Sequence, residues 1–83
     1  MLLLIYGYPL PVVERTVGKV IRRLRKEKRM SQEKLAEAID SHQVYVSEIE
    51  RGLKLPSLHV LLNISKAFGM TLTELVSRIE KSL

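Results

Sequence analysis

Apolar residues recur along this chain at intervals of three and four, and polar residues interrupt them at regular points. Val17, Val20, Ile21 and Leu24 fall at i, i+3, i+4 and i+7, which predicts an amphipathic helix from about Val12 or Thr16 to Lys28. Ser31 is a good N-cap, since its hydroxyl can accept from a free N–H of the following turn; Leu35, Ala36 and Ile39 then supply a buried face. Asp40-Ser41-His42 breaks the periodicity, because short polar side chains compete for backbone hydrogen bonds and favour turns. A third helix is expected from Gln43 to about Arg51, with Gly52 as its left-handed C-cap and Leu53 to Pro56 as a loop.

Ser57 opens a fourth helix, Leu58 to Phe68. There Leu58, Val60, Leu61, Leu62, Ile64, Ala67 and Phe68 leave little polar face, so a central, buried helix is expected. Gly69 ends it. Thr71 with Glu74 forms a T-x-x-E capping box, and the fifth helix carries an apolar stripe of Leu72, Leu75, Val76, Ile79 and Leu83. A small domain can bury Leu72 and Leu75 in its own core but has less need of Val76, Ile79 and Leu83. Those three are the expected interface of a symmetric dimer. The fold class is all-α, a compact five-helix domain over residues 12–83, with residues 71–83 as the dimerisation helix.

The second and third helices are short and joined by three or four residues, the geometry of a helix-turn-helix. At roughly 100° per residue the third helix sets Tyr45, Val46 and Ile49 on one arc. Gln43, Val44, Ser47, Glu48 and Arg51 occupy the other, which in this arrangement meets the major groove of DNA. Gln43 is the candidate base reader, since its amide donates and accepts at once and so matches adenine N6 and N7. Val44 suits a thymine methyl, Ser47 a base or a phosphate, and Glu48 the N4 amino group of cytosine; Glu48 alternatively repels phosphate and rejects wrong sequences. His42 is a candidate phosphate contact.

These words resemble the lambda-repressor-like, or Xre-type, helix-turn-helix family: Ser31-Gln32, Leu35-Ala36, the run Tyr45-Val46-Ser47-Glu48-Ile49-Glu50-Arg51-Gly52, Pro56-Ser57-Leu58 and Ala67-Phe68-Gly69. The match spans about Thr16 to Leu75. Within the family, so short a chain with HxxYVSEIERG looks most like the controller proteins of restriction-modification systems, although phage, plasmid and antitoxin regulators share nearly the same words. The resemblance implies a lambda-repressor-like DNA-binding domain and a structural ion pair between Arg25 and Glu50. It also implies that Gln32 binds phosphate and braces the reader glutamine, and that Lys54, at the loop tip, approaches phosphate.

Charge supports a polyanionic partner. The 83 residues carry a net charge of +5, and eight of the fourteen Lys and Arg lie between Arg15 and Arg29. Arg22, on the polar face of the first helix with Lys19, Arg23 and Lys26, is a further candidate phosphate contact. There is no cysteine, so disulfides and thiolate metal sites are excluded, and the cytoplasm is the default location. His42 and His59 lack a second ligand cluster for a metal, no nucleophile, base and acid form a set, and no glycine-rich phosphate loop is present. No cofactor and no catalysis are expected.

Met1 to Pro11, MLLLIYGYPLP, is broken by Gly7, Pro9 and Pro11 and lacks a basic start, so neither a secretory signal nor a membrane span is expected. Leu2 to Tyr6 has strand-like composition. The segment is a frayed tail, a mis-assigned start, or an arm that packs across a dimer or onto a partner protein. Two functions follow: a homodimeric transcriptional regulator on a pseudo-palindromic operator in double-stranded DNA, or an antitoxin or adaptor whose main task is to hold another protein.

Overall fold

The computed structural model describes residues 7–83, in which five helices follow one another without a strand: α1 Leu10–Glu27, α2 Gln32–Ala38, α3 Gln43–Glu50, α4 Leu58–Ala67 and α5 Leu72–Ser82. The strand-like stretch Leu2 to Tyr6 lies outside the described residues. α1 begins earlier than its apolar period suggests, inside the segment read as an arm. Pro9 and Pro11 act there as initiators rather than breakers: Pro9 is the N-cap, its carbonyl accepts from Val12 and Val13 N–H at 3.0 and 3.2 Å, and Pro11 sits in the first turn. A first-turn residue has no intrahelical partner for its N–H, so a proline loses nothing there.

Most helix ends are closed by local chemistry. Ser31 Oγ accepts from Lys34 N–H at 3.0 Å and Ser57 Oγ from Val60 N–H at 3.2 Å, while Thr71 and Glu74 complete a reciprocal capping box. The C-termini of α1, α2, α3 and α4 all end in left-handed turns, at Arg29 (φ 57°), Asp40 (φ 53°), Gly52 (φ 76°) and Gly69 (φ 68°). In the first two a side chain occupies a conformation that costs an L-residue energy, and the reward is a bond from Met30 N–H to Arg25 O at 3.0 Å and from Ser41 N–H to Ala36 O at 2.8 Å.

The core gathers Ile21, Leu35, Val46, Ile49, Ile64 and Leu75, one or two residues from every helix, with Val17, Val20, Leu24 and Phe68 around them. α3 lies against both α2 and α1, and α5 packs against α1 and α4. Gly18 makes the α1–α3 approach possible. A Cβ there would stand 2.3 Å from the carbonyl oxygen of Ile49 and 2.8 Å from that of Glu50.

Two expectations about burial are corrected. α4 is not wrapped on all sides: Ile64 and Phe68 are buried, but Leu58 and Leu62 are 64% and 46% exposed. Among the described helices, α2 and α5 pack most against this helix, and one apolar flank stays in water. Ile79, in contrast, is no part of an exposed stripe. It is 7% exposed within the core, one turn beyond Leu75 on the inward face of α5, whereas Val76 and Leu83 remain at the surface.

Candidate nucleic-acid interface

The helix-turn-helix is α2, the turn at Asp40-Ser41-His42, and α3. Val46 and Ile49 are buried and Tyr45 is half-buried, which turns Gln43, Val44, Ser47, Glu48 and Arg51 outward; Val44, at 63% exposed, is the most open apolar side chain on this arc. Short as it is, α3 would be marginal alone. Its position is set by neighbours.

A line of hydrogen bonds runs from the outward arc into the core. Arg25 donates through Nε to Glu50 Oε2 at 2.6 Å and through Nη2 to Glu50 Oε1 at 3.0 Å, and its Nη1 donates to Met30 O at 2.7 Å. Both side chains are nearly out of water, at 10% and 3% exposed. Burial tends to lower the Arg25 pKa, but the Glu50 hydrogen bonds outweigh it and raise the pKa above the ordinary arginine value. Gln32 Nε2 donates to Glu50 Oε1 at 3.0 Å, and Gln43 Nε2 donates to Gln32 Oε1.

The orientation of each amide in that line is dictated by charge. A carboxylate only accepts, so Gln32 must turn its NH2 toward Glu50; its oxygen then faces Gln43, which must present its own NH2. Gln43 is left with a free oxygen and a second N–H, the pair that adenine N6 and N7 require. No buried side-chain nitrogen or oxygen among the described residues lacks a partner.

Glu48 and Lys54 also come together, with Nζ 3.7 Å from Oε1. His42 is exposed as the N-cap of α3 and makes no side-chain capping bond, so it is available to a ligand. Arg22 is exposed on α1 with Arg15, Lys19, Arg23 and Lys26. Gly18 was missed in the sequence, although a glycine inside a helix otherwise rich in good helix formers is a signal of close backbone approach. No group of three or more metal-ligating side chains occurs among the described residues, and none of the described helices is long and apolar enough to cross a membrane.

A helix-turn-helix family model matches residues 21–75, the span from the middle of α1 into α5. The chain is 48% identical over 65 residues to the control protein C.MunI of Mycoplasma sp, covering 77% of this chain and 88% of that one. Among solved structures, the clp gene regulator ClgR of Corynebacterium glutamicum superposes with a TM-score of 0.81 at 30% identity, over 89% of this chain and 79% of that one. The restriction-modification controller protein C.AhdI of Aeromonas hydrophila superposes with a TM-score of 0.70 at 34% identity, over 74% and 92%.

Proposed function

The chain belongs to the Xre-type helix-turn-helix family of DNA-binding transcriptional regulators, which act by binding rather than by catalysis, and from that premise we propose that it is a restriction-modification controller. In this reading it works as a homodimer on a pseudo-palindromic operator, its half-sites about one helical turn apart. The observation that carries the operator reading is the bonded line Gln43, Gln32, Glu50, Arg25. It holds an adenine-competent amide rigidly at the N-terminus of α3 and spends buried groups to do so.

Val44 and Ser47 stand beside Gln43 as base contacts, with Gln32, His42, Lys54 and Arg22 toward phosphate. Support for two-fold assembly comes from Leu58 and Leu62 on α4 with Val76 on α5 and Leu83 at its C-cap, large apolar side chains left in water along two helices that pack together. The controller assignment rests on the likeness to C.MunI and C.AhdI.

Selection of bound duplexes from a random pool tests this reading, followed by titration of the recovered site at several salt concentrations. Enrichment of one sequence with two related halves is the expected result. Recovery of no sequence would refute operator recognition and favour a role in holding another protein.

A further inference from the structure

Glu48 and Lys54 are placed against each other by the backbone. At the end of α3 Gly52 N–H donates to Ile49 O at 3.0 Å and Leu53 N–H to Glu48 O at 2.9 Å, with Gly52 in the left-handed region. This turn folds the loop back along the last turn of the helix and delivers Lys54 to the side chain of Glu48. At 3.7 Å, with the lysine side chain 56% and the glutamate 29% exposed, the two charges attract but are not locked. Either can change partner.

On a duplex the phosphates compete for the ammonium. Once Lys54 leaves, Glu48 is an uncompensated carboxylate on the groove-facing arc. The major-groove edges that can satisfy it are those with an amino donor, cytosine N4 or adenine N6; guanine and thymine present only acceptors or a methyl group there. We propose that Glu48 and Lys54 form an exchange pair that couples a phosphate contact to base identity: Lys54 engages phosphate at full strength only where the base that Glu48 faces carries an amino group. On other DNA the carboxylate retains the lysine. This deepens the operator reading and rests on it.

The test compares the parent protein with Glu48→Ala, Lys54→Met and the double variant, on the selected operator, on its single-base variants and on random duplex, with melting curves as a check on folding. Glu48→Ala, which removes both the charge and the acceptor, should tighten binding to random DNA, narrow the operator-to-random ratio by roughly tenfold per half-site, the scale of one base-reading contact, and relax preference at one base pair per half-site. Lys54→Met should lower the salt slope by about two, one for each protomer of the dimer. In the Lys54→Met background, adding Glu48→Ala should change random-DNA affinity by less than about twofold, since without the lysine there is nothing to release. An equal gain in both backgrounds would mean that Glu48 repels phosphate by itself, and an unchanged ratio would mean that it reads nothing; either overturns the proposal while leaving operator binding intact. A parent protein that enriches no sequence overturns the operator reading itself.

Discussion

Replacing Glu50 by alanine removes three acceptor contacts at once, from Arg25 Nε, Arg25 Nη2 and Gln32 Nε2. Arg25 cannot shed its proton, and with its side chain 10% exposed it cannot reach water without moving. Breaking a buried pair from one side costs about 3–5 kcal/mol. Arg25 keeps its bond to Met30 O at 2.7 Å, which places the expected loss near the lower end, about 3 kcal/mol. For a domain of this size that is a fall in Tm of roughly 12–24 °C, out of a total stability on the order of 4–12 kcal/mol. Urea and thermal melts followed by circular dichroism measure it. The companion Arg25→Met/Glu50→Leu variant should recover much of the loss, because two apolar groups leave no stranded charge. The same double variant should still discriminate poorly between operator sequences, since Gln32 has lost the carboxylate that orients it toward Gln43. A Glu50→Ala protein within about 0.5 kcal/mol of the parent, the scatter of ordinary surface substitutions, would refute the assignment of the pair as buried bracing.

Four further outcomes are expected. Gly18→Ala should cost about 1–3 kcal/mol by forcing α3 off α1, read as a lowered urea midpoint, because its Cβ meets backbone carbonyls rather than a side chain that can swing away. Arg29→Gly should raise stability by about 1 kcal/mol through relief of the left-handed backbone, and a lower midpoint would show that the arginine side chain compensates for its own strain. Glu74 has a pKa held below the ordinary carboxylate value, first by the Thr71 backbone N–H and then by the Thr71 hydroxyl. Its contribution is therefore complete above the unfolded-state pKa of about 4.3 and lost as pH falls through the lower folded-state value, so Glu74→Gln should lower stability near neutral pH, leave strongly acid pH little changed and thereby flatten the acid limb of the stability profile. Val76→Asp should leave a helical monomer with weakened operator binding, whereas Ile79→Asp should unfold the domain; sedimentation combined with circular dichroism distinguishes them, and a Val76→Asp protein that sediments like the parent would remove α5 from the interface.

Where helices begin, end and point is largely local, and here the chain alone determined it. A 3.6-residue period sets α1 and α5, Ser31, Ser57 and Thr71 accept bonds from N–H groups only three residues ahead, and Gly52 and Gly69 adopt the backbone angles that their lack of a side chain favours. The outward arc of α3 was legible for the same reason: with Val46 and Ile49 inside, geometry leaves Val44, Ser47 and Glu48 no other place. The start of α1 was not, because the effect of Pro9 and Pro11 depends on whether a helix already lies beyond them. Only the tertiary structure decided which apolar surface is covered. Ile79 is buried and Leu62 exposed, the reverse of what their places in the apolar pattern suggest, since burial depends on how far the neighbouring helices reach. Nor does any local rule place Gly18 under the carbonyls of Ile49 and Glu50. That contact joins residues through the packing of α1 on α3, and it exists only once the chain has closed on itself.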